Sequence, residues 1–193
     1  MNDMAVDFKR YPFTVDEYHR MFEVGVLDES AAVELINGEL IKMPPIGPEH
    51  FGRHSRITKY LVETFANRAT IVPMGSFRLG DHDEPQPDVA ILPYDGRAYE
   101  DGNLPRPEAF YAFIEIAVTS FHFDARVKMA LYAARGIPNY LLVDVDRNRM
   151  ILHANPTSDG YASIREVTDG EFALDRTPDV PLSVGAFLRY RSV

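Results

Sequence analysis

Residues 110–118 read Phe-Tyr-Ala-Phe-Ile-Glu-Ile-Ala-Val, apolar at every position but Glu115. A strand covered on both faces looks like this, because neither set of alternating side chains meets water. The run therefore asks for a sheet with further layers on each side. It also makes Glu115 conspicuous, since burying an unpaired carboxylate costs several kcal/mol or shifts its pKa. A metal, a cation or an edge position has to compensate it.

The rest of the chain supplies the layers. Thr14-Val15-Asp16-Glu17 has the form of a capping box and predicts a helix from Val15 to near Gly25, with Tyr18, Met21 and Phe22 inward. Val33–Ile36 and Glu39–Met43 flank Asn37-Gly38, the residues a type I′ turn prefers because both central positions need positive φ, and predict a hairpin. After a proline-rich break, Ile57, Leu61 and Phe65 recur at four-residue steps and predict the longest helix, from Glu49 to Arg68. Ile71–Met74 and Ser76–Leu79 are expected as two strands or one bulged strand, Gln86–Leu92 as the next strand and Pro93–Pro107 as a surface loop.

Asp124 reads as the cap of a helix running to about Arg135, with Val127, Leu131 and Ala134 inward and Gly136 as terminator. Strands follow at Asn139–Val145 and Arg149–Ala154. Tyr161–Val167 and Glu171–Leu174, joined through Asp169-Gly170, form a second expected hairpin, and residues 182–190 a closing helix. This order implies an α/β fold, a mixed β-sheet flanked by helices. The chain reads as a single domain over residues 1–193, with its core at 14–175 and disorder confined to the ends, residues 1–13 included.

The composition limits the chemistry. The chain has no cysteine, which excludes disulfides, thiolate zinc sites and a thiol nucleophile. No apolar run is long enough to span a bilayer and the N-terminus lacks a signal peptide's regions, so a cytoplasmic protein without membrane contact is expected. A net charge of -9 opposes nucleic-acid binding unless a local basic patch survives within it. Arg53, His54, Arg56 and Lys59, with Arg68 and Arg78, are the candidates, against the reading that they solvate a helix face.

Asp88 lies in Pro-Gln-Pro-Asp-Val-Ala-Ile-Leu, Glu115 in the buried run and Lys128 on the following helix. Two carboxylates and a lysine suffice for metal-assisted phosphodiester hydrolysis. Mg²⁺ takes oxygen ligands and keeps several waters, so one or two carboxylates hold it. An ammonium nearby stabilises negative charge growing on the phosphoryl group. From the pattern alone the alternative stays open that Asp88 and Glu115 are separately satisfied carboxylates, and that Lys128 is a surface partner of Asp124.

The chain resembles the Uma-two family of the PD-(D/E)XK, restriction-endonuclease-like superfamily. The resemblance rests on Val33-Glu34-Leu35-Ile36-Asn37-Gly38-Glu39-Leu40, His50, Pro87-Asp88 and Glu115. It continues through Asp124, Lys128 and Tyr132 spaced four apart, and Gly136-Ile137-Pro138-Asn139-Tyr140-Leu141-Leu142-Val143-Asp144. It implies that Asp88, Glu115 and the Ile116 carbonyl hold Mg²⁺ or Mn²⁺. Lys128 then replaces the lysine expected at position 117, where this chain has alanine. Val118 stands where the family carries serine, and Phe121-His122-Phe123 departs from its small, polar linker.

Glu34 is a further candidate for the metal site, set against an exposed strand residue beside the hairpin. His50, Arg53 and Tyr132 are candidate substrate contacts, although Tyr132 suits packing better and the His50/His54 spacing reads as a solvated helix face. Asp144 is read as starting a turn.

The function expected is a metal-dependent endonuclease acting on DNA, as a homodimer. The alternatives are a nuclease-like domain that binds without cutting and a Mg²⁺-dependent phosphohydrolase of small nucleotides.

Overall fold

The computed structural model describes residues 10–28, 30–97 and 99–188. They form two compact units: a smaller one up to Pro44 together with Phe77–Pro85, and a larger one of Pro45–Ser76 and the chain from Gln86. No helix among the described residues is long and apolar enough to cross a membrane.

In the smaller unit, helix α1 (Val15–Glu23) starts at the expected capping box. The Glu17 amide donates to Thr14 Oγ1 at 3.2 Å, and the Thr14 amide to Glu17 Oε2 at 2.8 Å. Strands β1 (Val33–Ile36) and β2 (Glu39–Lys42) pair antiparallel across Asn37 and Gly38, whose φ values are 51° and 74°. Val15, Tyr18 and Leu35 make the buried centre, with Phe22 partly buried against it.

Residues 76–79 are not a strand. The segment folds back on itself instead, the Leu79 amide donating to the Asp83 carbonyl and the Phe77 amide to that of Pro85. Its far limb clasps the hairpin, with the Glu84 amide on the Leu35 carbonyl and Asp83 Oδ1 accepting from the Asn37 amide.

The larger unit is built on a six-stranded sheet, β3 (Ala69–Pro73), β4 (Val89–Pro93), β5 (Ala112–Ala117), β6 (Asn139–Asp144), β7 (Arg149–Thr157) and β8 (Gly160–Val167), paired in that order. Only β5 and β6 are parallel. A parallel pair needs a crossover, and a helical segment over residues 121–134, here α3, supplies it.

All six residues of β5 are buried, as the apolar run requires. Ile114 and Ile116 turn to the face covered by helix α2 (Pro48–Phe65), through Ile57, Leu61 and Phe65, and by strands β9 (Glu171–Leu174) and β10 (Thr177–Ser183). Burying such side chains contributes about 1.5–3 kcal/mol each. On the opposite face Phe113 meets Tyr132 of α3 edge-on, with ring centroids 4.9 Å apart.

Three sequence expectations are corrected. Strand β8 pairs with β7 and β9 with β10, so the turn at Asp169-Gly170 reverses the chain without joining a hairpin. The expected closing helix is the end of β10 and a short 3₁₀ turn, Val184–Ala186, with residues 189–190 outside the described part. The third correction concerns α3. It starts after Ser120, and Asp124 lies inside it as the first residue of a π turn, Asp124–Lys128. The Met129 amide reaches back five residues to the Asp124 carbonyl. Its buried side chains are Asp124, Lys128, Leu131, Tyr132 and Ala133, while Ala134 is exposed and Val127 only half-buried. The interior of this helix is partly ionic, which an apolar-stripe reading inverts.

Candidate active site

Asp88 directly precedes β4 rather than lying within a strand. The β4–β5 register pairs Val89 with Ile114, so one step further sets Asp88 across from Glu115. Asp88 Oδ2 accepts the Ile116 amide at 2.7 Å. In a strand the N–H and C=O of one residue point to the same edge, so the Ile116 carbonyl is turned to the Asp88 side, beyond the end of β4. His50 Nε2 lies 3.1 Å from the Asp88 carboxylate, and His54 Nε2 donates to the Asp88 carbonyl at 2.9 Å.

The two imidazoles, one helical turn apart on α2, are stacked with nearly parallel planes, 6.3 Å between centroids. They are not the solvated face that their spacing suggested. The Asp88 hydrogen bond raises the His50 pKa above the ordinary imidazole value, while burial pulls the other way.

Glu115 is 4% exposed and its Oε1 accepts two bonds, from Lys128 Nζ at 3.0 Å and the Tyr132 hydroxyl at 2.7 Å. Lys128 is 1% exposed, which overturns its reading as a surface partner of Asp124. Both donors come from α3, one turn apart, so the crossover helix answers the buried carboxylate of the strand it follows.

Asp124, also buried, accepts from the Ser120 hydroxyl through Oδ2, and its carbonyl accepts from Tyr140 Oη at 3.2 Å. Burial first, and then the charges of Asp124, Glu115 and Asp88, push the Tyr140 hydroxyl well above the ordinary phenol range. Three carboxyl groups thus act on one buried point, with one ammonium among them.

A hard cation suits this donor set. Among the described residues no group of three or more histidine, aspartate or glutamate side chains is placed to hold a metal ion. Asp88, Glu115 and the Ile116 carbonyl could offer oxygen atoms to a hard cation that keeps most of its waters. A closed zinc site is not built here.

The other candidates divide. Tyr132 is fully buried, and its hydroxyl is on Glu115 rather than open to a substrate. Arg53 is also buried, with Nη1 donating to the Phe187 carbonyl at 3.2 Å, and Arg56 donates to the Phe187 and Leu188 carbonyls. Lys59 pairs with Glu63, Arg68 with Asp179, and Arg78 with Asp16. Arg53 and Arg56 are therefore taken up in structural contacts, while Lys59, Arg68 and Arg78 stay exposed in surface ion pairs. Glu34 sits in β1 of the smaller unit and is buried rather than exposed.

Sequence reasoning missed two things. Asp124 was read as a cap, although its four-residue spacing from Lys128 was visible. Asp144 starts a turn as expected, its Oδ1 accepting the Arg147 amide at 3.1 Å, but its spacing did not disclose that it is 1% exposed and also accepts from Arg149 Nε at 2.9 Å and Arg147 Nη1 at 3.3 Å.

A family model described as "Uma2: Putative restriction endonuclease" matches residues 15–185. Among solved structures, one from Anabaena variabilis described as "a putative nuclease belonging to DUF820" has a TM-score of 0.69. It is 17% identical, with 91% of this chain and 98% of that one covered, and at that identity the likeness speaks for the fold. No curated protein matches the sequence significantly.

Proposed function

Because the chain belongs to the Uma2 restriction-endonuclease family, we propose that it is a Mg²⁺- or Mn²⁺-dependent endonuclease hydrolysing phosphodiester bonds of DNA. The observation that supports the proposal is the Lys128 ammonium 3.0 Å from Glu115, delivered from α3 to a strand that has alanine at position 117.

Asp88 and Glu115 are the metal-binding carboxylates, with the Ile116 carbonyl beside them. When bound, the cation would polarise the phosphoryl oxygen and lower the pKa of a water. The chain's own groups do the rest. The Ile116 amide and His50 orient the Asp88 carboxylate, and Tyr132 and Lys128 orient that of Glu115. Lys128 places a positive charge where negative charge grows on the phosphoryl oxygens. Glu34 is proposed as an assisting carboxylate. A homodimer and a cytoplasmic location complete the reading, since cutting both strands calls for two sites.

The test is calorimetric titration with Mg²⁺ and with Mn²⁺, beside nicking of supercoiled plasmid, for the wild type and for Asp88→Ala, Glu115→Ala and Glu34→Gln. Metal binding and nicking lost together in the first two variants support the reading. A wild type that binds neither metal and leaves the plasmid intact overturns it in favour of a domain that binds without cutting.

A further inference from the structure

The net charge of -9 and the loss of Arg53 and Arg56 to structural contacts leave open which cation meets the substrate's phosphates. One group of side chains near the carboxylates remains unabsorbed by the site. Strand β6 lies parallel to β5 with Glu115 beside Leu142 and Ala117 beside Asp144. At about 3.3 Å per residue and 4.8 Å between strands, Asp144 is about 8 Å from Glu115, backbone to backbone.

The β6–β7 turn that follows carries Arg147, and β7 opens with Arg149. Both guanidinium carbons stand 5.6 Å from the centroid of the Phe121 ring, at the first turn of the helix that carries Lys128. The aromatic linker that departs from the family pattern is thus the platform under two arginines.

The two arginines differ. Arg149 is 21% exposed in its side chain and held by two carboxylates, Asp144 through Nε and Glu166 through Nη1. Arg147 is 61% exposed and pairs with Asp144 at 3.3 Å besides its place over the ring, while its backbone amide donates to Asp144 Oδ1 at 3.1 Å. Its backbone is pinned and its guanidinium stands over a ring, yet at 61% exposure the side chain is open to solvent. A planar fork of this kind matches phosphate oxygens in pairs.

We infer that Arg147, seated on Phe121 and aligned by Asp144, is a substrate-binding residue that grips a backbone phosphate of the nucleic acid beside the bond to be cut. This rests on the nuclease reading above and deepens it. Arg149 is the positioning residue, holding Asp144 in place beside the same ring.

The test uses a fluorescein-labelled DNA duplex with the full chain, its binding followed by anisotropy over a range of salt without divalent metal, and plasmid nicking in Mg²⁺. Arg147→Ala is expected to weaken binding about tenfold and to flatten the log–log salt slope by about 0.9, one phosphate contact. In nicking, KM rises with little change in kcat. Phe121→Leu keeps the packing volume and removes the ring's attraction for cations, so it should weaken binding by a smaller factor with the melting temperature nearly kept. Arg147→Lys should recover part of the affinity but not all.

Duplex binding with an unchanged slope in Arg147→Ala overturns the grip and leaves the nuclease reading standing. A wild type that neither binds duplex nor nicks overturns both.

Discussion

Replacing Lys128 by methionine removes the ammonium and keeps most of the stem, so it isolates the charge. Lys128 is 1% exposed and Glu115 is 4% exposed, and the two meet at 3.0 Å. Removing one side of such a buried pair leaves the other charge uncompensated and costs roughly 3–5 kcal/mol. The Tyr132 hydroxyl stays on the same oxygen at 2.7 Å. A hydrogen bond to a charged group contributes about 1.5–3 kcal/mol, so the loss should fall at the lower end. At about 2–4 °C per kcal/mol for a chain of this size, a loss near 3 kcal/mol becomes a fall of about 6–12 °C in Tm. Circular dichroism melts measure it. Adding Glu115→Gln to Lys128→Met should recover part of the fall, because a glutamine leaves no charge stranded. If Lys128→Met melts with the wild type, or the double variant melts no higher than Lys128→Met, the ammonium is not what compensates Glu115.

Three further outcomes follow from the same structure. Tyr132→Phe removes one charged hydrogen bond and leaves the fully buried ring, so denaturant unfolding should show a loss of about 1.5–3 kcal/mol. Gly38→Ala puts a Cβ 2.6 Å from Pro12 Cβ at a φ of +74°, so it should cost more than the roughly 1–2 kcal/mol of the backbone conformation alone, read from the same unfolding curves. Burial lowers the His153 pKa, although its bonds to backbone carbonyls oppose this, so the folded protein keeps that imidazole neutral. A depressed folded pKa gives stability that is present above the unfolded value, about 6.5, and lost as pH falls below it. Tm should accordingly fall from pH 7 to pH 5, with a smaller fall in His153→Gln.

Where a short stretch contains all of its own determinants, the sequence disclosed the structure. Thr14 with Glu17 and Asn37 with Gly38 carry their caps and turns within four residues, and the run at 110–118 has no reading but burial on both faces. Pairing was less legible. Asp169-Gly170 specifies a reversal but not which strand β8 will join, because that choice depends on β7. The site carboxylates and Lys128 were legible as residue types in order, whereas their environment was not. Asp124, Lys128, His50 and His54 are polar positions on helices, and polarity on a helix ordinarily signals solvent. Here those side chains turn to one another and to the strands, a fact that belongs to the assembled sheet. Arg53 and Arg56 failed in the opposite sense, their charges going to the carbonyls at 187–188.

The π turn at Asp124–Lys128 makes α3 sensitive to its length. Such a turn holds about one residue more than an α turn, and each residue advances a helix by about 100°. Asp124 and Lys128 are buried together at the two ends of that turn. Taking out one of Ala125, Arg126 and Val127 would close that turn to α geometry and leave the two charges three residues apart, still on one side of the helix. Exchanging any of the three for another residue leaves the spacing intact. The segment therefore tolerates substitution, and the loss of one residue better than the gain of one, because its backbone already carries the surplus that a regular helix would have to absorb.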